Sequence, residues 1–271
     1  TPLSLNSLAG IMITHIHGDH CYGLPGLLAS AGMSGRHRPL TIFAPVGIQP
    51  WLQATLEHTQ LYLPYEVNFV SVENMPIQHF GQFSVSSIEL SHRVPSFAYC
   101  FTEAQVKSSL DIEKLEQAGI TRGPLWGQLQ AGKRIEHNGQ HFEASDFLMP
   151  SANPRQVIVC GDNDTPAKLQ SYCSDCSVLI HESTYTQDMA EKAASAGNSC
   201  VNQIAELAQQ QEIANLLLTH FSPRYQDGGD TTPSISSMEG EARSIYTGNL
   251  FMASDFDRYH LLADGVLEPV I

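Results

Sequence analysis

Three histidines and one aspartate fall within six positions of the run Thr14-His15-Ile16-His17-Gly18-Asp19-His20. A packed core rejects such a group, because each neutral imidazole needs hydrogen-bond partners and each carboxylate resists burial. Imidazole and carboxylate are instead the donors that divalent transition metals take. Alternate residues of an extended segment point the same way, so His15 and His17 are expected to hold one ion while Asp19 and His20 turn toward a second. Three further candidates, His92, Asp162 and His220, each follow a predicted strand, where α/β folds expose their reactive groups. Singly each is a weak signal, since a histidine beyond a strand is more often an ordinary hydrogen-bonded surface residue. Together with the first cluster they supply two ligand sets. Asp162, placed between them, would hold two ions at the ~3.5–4 Å spacing of two-metal hydrolysis. Such a centre draws its nucleophile from water near neutral pH, which predicts hydrolysis of an ester, amide or phosphodiester.

The elements that must position these residues are legible as short apolar, β-branched runs alternating with longer amphipathic stretches, the pattern of an α/β protein. Strands are predicted at 10–14, 40–43, 67–72, 83–90, 98–101, 156–160, 177–180, 215–219 and 250–253. Helices are predicted at 24–31, 48–59, 165–172, 186–194, 201–211 and 234–246. With 271 residues, 42% hydrophobic and 15% charged, the chain can bury one large core or two smaller ones, which excludes disordered and collagen-like classes. No apolar run reaches the ~20 residues of a membrane span, and residues 1–10 lack the pattern of a secretory signal, so a cytoplasmic location is expected. Six cysteines scattered over this length predict free thiols, and the single Cys173-Ser174-Asp175-Cys176 run has no second pair for a zinc ribbon.

One segment, 110–150, breaks the rhythm with glycine, proline and isolated charges, among them Arg122, Lys133 and Arg134. It reads either as a protruding functional arm or as a surface loop with one helix. The net charge of −14 argues against broad nonspecific nucleic-acid binding while leaving room for a local basic patch.

The run His15-Ile16-His17-Gly18-Asp19-His20 followed by Gly23-Leu24-Pro25-Gly26-Leu27-Leu28 resembles the ribonuclease Z family of tRNA 3′-processing endonucleases, called ribonuclease BN in enterobacteria. The histidine–aspartate core marks the metallo-β-lactamase superfamily, and the Gly-Leu-Pro-Gly-Leu-Leu extension narrows it. The resemblance continues through 33–35, 39–43, 119–125, 180–184 and 219–225. It implies a single domain, the metallo-β-lactamase four-layer αββα sandwich, with segment 110–150 as the family's arm. It further implies two zinc ions, with manganese as an alternative. His15, His17 and His92 would hold one ion, Asp19, His20 and His220 the other, and Asp162 would bridge them. The implied partner is precursor tRNA, with Arg122, Lys133 and Arg134 as phosphate contacts on the arm, no membrane association, and a homodimer. The implied reaction cuts the phosphodiester after the discriminator nucleotide and leaves a 3′-hydroxyl, with Asp19 orienting or deprotonating the water. His181 and Glu182 match the motif whose glutamate supports the general acid, although His181 alone also reads as a buried strand residue.

Two departures stand against that pattern. Where the family carries its general-acid histidine, this chain has Asn198 in Gly197-Asn198-Ser199, and an amide cannot protonate a leaving alkoxide. Family members also begin with several dozen further residues, including opening strands, so the chain is expected to be a fragment that lacks the family's amino-terminal segment, with divergence as the alternative. A general phosphodiesterase of the same fold and a catalytically impaired RNA-binding relative are the alternative functions.

Overall fold

In the computed structural model the described residues are 4–104, 109–149, 153–226 and 233–270; Pro150, the end of the predicted insert, lies outside them. The elements run β1 (Gly10–Met12), α1 (Gly18–Cys21), α2 (Leu24–Met33), β2 (Leu40–Ala44), α3 (Ile48–His58), β3 (Val67–Ser71), β4 (Gln78–Phe80), β5 (Phe83–Glu89) and β6 (Phe97–Glu103). They continue with α4 (Ile112–Gln117), α5 (Pro124–Gln130), β7 (Ile135–His137), β8 (Gln140–Phe142), β9 (Gln156–Val159), β10 (Cys176–Glu182), α6 (Ala190–Ala196), α7 (Val201–Gln210), β11 (Asn215–Thr219), α8 (Ile235–Arg243), β12 (Asn249–Met252), β13 (Tyr259–Leu261) and β14 (Leu267–Pro269).

Each predicted strand has its counterpart. Two predicted helices differ in kind. Residues Pro166–Tyr172 wind as a 3-10 helix, its bonds spanning three residues, as from the Lys168 amide to the Thr165 carbonyl. The stretch predicted as one helix from 186 begins as a 3-10 turn, Gln187–Met189, before α6. The hairpin β13–β14 escaped the sequence reading because strands of three residues carry too little alternation to be seen.

The chain divides into two compact units, residues 1–102 with 155–271, and residues 103–154. In the first, β1, β2 and β3 form a parallel sheet, and a seven-stranded sheet has the order β12-β11-β10-β9-β6-β5-β4. Strands β9 to β12 are parallel, and β6 pairs antiparallel with β9. Apolar side chains of both sheets, Phe43, Val72, Val85, Phe97 and Tyr99 among them, pack into a shared core. The Tyr99 hydroxyl pins the two sheets together by donating to the Ile13 carbonyl at 2.6 Å. Helices α2 and α3 cover the smaller sheet through Leu24, Leu28, Ile48 and Leu52. Helices α7 and α8 cover the larger through Ile204, Ala208, Met238 and Ala242. The layering is helix, sheet, sheet, helix, the metallo-β-lactamase fold. All six cysteines are free.

The unit 103–154 holds α4, α5 and the hairpin β7–β8 around its own core of Leu115, Ile120, Leu129, Ile135 and Phe147. It therefore contains two helices and a hairpin, where the loop reading allowed one helix.

Candidate metal centre

Backbone geometry explains why the first cluster converges. The chain is extended through His17 (φ −61°, ψ 149°) and turns into α1 at Gly18, so residues 15 and 17 face one way and the helical turn swings Asp19 and His20 round. Asp162 arrives at the end of β9, where Gly161 lets the chain pass against Thr14; a Cβ there would lie 2.6 Å from the Thr14 Cβ. His220 follows β11 with φ +59°, a left-handed conformation uncommon outside glycine that re-aims its side chain.

The structure brings all seven expected ligands into two groups. The donor atoms of His15, His17, His92 and Asp162 lie within 4.8 Å of one another, as do those of Asp19, His20 and His220. Asp162 faces both. Its Oδ2 is 4.0 Å from His15 Nε2 and 3.9 Å from His92 Nε2, and its Oδ1 is 3.4 Å from His20 Nε2 and 3.6 Å from His220 Nε2. Asp19 Oδ2 stands 3.5 Å from both His20 Nε2 and His220 Nε2.

These residues fit divalent ions. His17 Nδ1 lies 3.1 Å from His15 Nε2 and 3.0 Å from His92 Nε2. Tetrahedral zinc with Zn–N bonds of ~2.0–2.1 Å spaces its nitrogens roughly 3.3 Å apart. His20 Nε2 and Asp162 Oδ1 are buried and find no hydrogen-bond partner, the arrangement a cation between them would resolve. Burial, reinforced by repulsion from His20, pushes His15 down to about 3. His17 and His20 are also lowered, chiefly by burial. Neutral imidazoles keep the lone pairs that ligation needs. Burial raises the Asp19 carboxyl, but His20, its backbone bond and His220 together bring it below its ordinary value.

A second ring of residues orients the first. His92 Nδ1 donates to the Gly197 carbonyl at 2.5 Å, turning Nε2 inward. The Thr14 hydroxyl stands 3.2 Å from His15 Nδ1. Asn198 Nδ2 donates to Asp162 Oδ2 at 3.1 Å. Thr14, Gly197 and Ser199 were not singled out from the sequence, because small residues and hydroxyls beside a motif carry no signal of their own.

His181 does not join the ligands. It is fully buried, its Nδ1 donates to the Glu182 carbonyl at 2.7 Å, and its Nε2 accepts from Asn163 Nδ2 at 3.0 Å. Burial pushes it down to about 4, so it stands as a neutral strut behind Asp162. Glu182 is 1% exposed, and burial lifts it to about 7 against the pull of its hydrogen bonds. Arg122, Lys133 and Arg134 are exposed on the unit 103–154, with Arg134 Nε 3.3 Å from Glu143 Oε1.

Gly197 offers a local test. It has φ +77°, and an added Cβ would lie 2.8 Å from His92 Nδ1 and 3.0 Å from Arg93 Cγ. Gly197→Ala is expected to cost roughly 1–2 kcal/mol in stability from the left-handed backbone alone. Displacing His92 should also weaken metal affinity, and denaturation of the metal-free protein beside a metal titration separates the two effects.

The chain matches the family model described as the beta-lactamase superfamily domain over residues 1–221. It is 45% identical over 271 residues to a ribonuclease Z of Pseudomonas putida (strain GB-1), covering 100% of this chain and 85% of that protein. It is 35% identical over 262 residues to a ribonuclease BN of Proteus mirabilis (strain HI4320), covering 96% of this chain and 84% of the other. Among solved structures it is similar to human tRNase Z, short form, with a TM-score of 0.59 at 23% identity over 94% of this chain and 80% of that one.

Proposed function

The chain belongs to the ribonuclease Z family of metal-dependent tRNA 3′-processing endonucleases, and from that premise we propose that it hydrolyses the phosphodiester immediately 3′ of the discriminator nucleotide, using two zinc ions. The observation that carries the two-ion reading is Asp162, whose oxygens divide between the two histidine sets.

Bound divalent ions supply positive charge at the scissile phosphate and ionise water near neutral pH. The chain's own residues do the rest. His15, His17 and His92 form one cradle, and Asp19, His20 and His220 the other. The Asp19 side chain is 66% exposed, the most open of the set, which suits it to orient the attacking water or take its proton. Asn198 donates to Asp162 and has no proton to give a leaving alkoxide, so this site holds no imidazole acid at that position. With none there for Glu182 to support, we assign His181 and Glu182 supporting parts, His181 holding Asn163.

For the arm, Arg122, Lys133 and Arg134 are our candidate phosphate contacts, in an otherwise acidic chain. Zinc rather than manganese, a homodimer and a cytoplasmic location complete the proposal on family grounds. Among the described residues no helix is long and apolar enough to cross a membrane.

Replacing Arg122, Lys133 and Arg134 together by glutamine is expected to raise KM for a trailer-bearing tRNA precursor on the order of 100-fold, as the loss of three phosphate contacts worth ~1 kcal/mol each. The slope of log affinity against log salt should shrink by about one per lost contact. Turnover of bis-p-nitrophenyl phosphate should not change. Equal effects on both substrates, or none on the precursor, would favour a general phosphodiesterase.

A further inference from the structure

We propose that Glu182 is a positioning residue for both ligand sets, fixing His220 through the Thr184 hydroxyl and fixing the Gly197–Ser199 turn through the Ser199 amide. The inference rests on the two-ion reading of the centre and adds the group that ties its halves together.

Glu182 is buried, and among the described residues no lysine or arginine forms an ion pair with it. A buried carboxylate without a counter-cation is costly unless donors satisfy it. Here they are three: the Ser199 amide to Oε1 at 2.6 Å, and the Thr184 amide and hydroxyl to Oε2 at 2.9 and 2.7 Å. None of these donors is a ligand of the centre, yet each leads to one.

The first path runs through Thr184. A hydroxyl has one proton, and with that proton given to Glu182 the Thr184 oxygen can only accept. Its remaining partner is His220 Nδ1 at 3.0 Å. The carboxylate therefore selects the Nδ1–H tautomer and leaves the lone pair on Nε2, the atom facing Asp19 and Asp162. His220 sits in a left-handed backbone conformation, so its orientation calls for such a support.

The second path runs through Ser199. Anchoring its amide fixes the turn in which the Gly197 carbonyl accepts from His92 Nδ1 and Asn198 Nδ2 donates to Asp162. The Ser199 hydroxyl secures the same turn by donating to the Asn163 carbonyl at 2.5 Å. One carboxylate thus reaches His220 on one side and His92 and Asp162 on the other. A glutamate that served only packing would have no reason to end on both paths.

The test is a titration of metal-free protein with cobalt(II), read by its visible absorption, on the parent, Thr184→Val, Thr184→Ser and Glu182→Gln. The parent should bind two ions. Thr184→Val keeps the shape and removes the hydroxyl, and should weaken one binding step ~10–100-fold while the other stays within about threefold. Thr184→Ser should restore the weakened step, and Glu182→Gln should weaken both. Thr184→Val binding both ions like the parent, or losing both steps equally, would overturn the proposal. Should Glu182→Gln fail to fold, the two Thr184 variants decide. A parent that binds fewer than two ions would overturn the two-ion reading itself, and this assignment with it.

Discussion

Asp162→Ala is expected to leave a folded protein whose turnover on a tRNA precursor falls by more than the ~10–100-fold that losing a residue behind a ligand costs. Among the described residues Asp162 is the one whose two oxygens face both histidine sets, at 3.4 to 4.0 Å from four imidazole nitrogens. Its removal leaves three histidines on one side and Asp19, His20 and His220 on the other, with nothing to hold two cations at a common distance. The same loss should follow chelation of the parent and be reversed by added zinc, whereas zinc should not restore Asp162→Ala. Metal content after dialysis, with turnover on the same samples, checks this. A variant that keeps both ions and parental turnover would remove Asp162 from the centre.

The second large effect is expected at Asn198, in the opposite direction. The amide contributes one hydrogen bond to Asp162, worth ~10–100-fold through the metal. A positioned proton donor contributes ~10²–10⁴-fold. Asn198→His gives up the first and supplies the second, so single-turnover cleavage should accelerate by roughly 30-fold at the middle of these two ranges. The signature is the pH profile. An imidazole must be protonated to serve the leaving oxygen, so the rate of Asn198→His should fall as pH rises through its pKa, ordinarily ~6.5. The parent should lack that alkaline limb. A slower variant without the limb would show that position 198 does not face the leaving group.

Much of this centre was legible in the sequence, and the reason is chemical. Histidines and aspartates at His15, His17, Asp19 and His20 have no place in a core, and strand ends at His92, Asp162 and His220 were marked by β-branched runs. What escaped notice was the support. Thr14, Thr184, Gly197 and Ser199 are residue types found anywhere, and only the fold shows that their hydroxyls, carbonyl and amide meet ligand nitrogens or Glu182. The positive φ of His220 was likewise hidden, since no turn residue announces it. Segment 110–150 showed its interruption by glycine and proline but not its own core, because Leu115, Ile120 and Leu129 are spaced over elements too short to display a period.

Cleavage at the discriminator can be read by incubating the zinc-loaded chain with a tRNA precursor carrying a 3′ trailer and mapping both product ends at single-nucleotide resolution. A single cut after the discriminator is expected, with a 3′-hydroxyl on the tRNA and a 5′-phosphate on the trailer. An intact precursor beside ready hydrolysis of bis-p-nitrophenyl phosphate by the same preparation would contradict it.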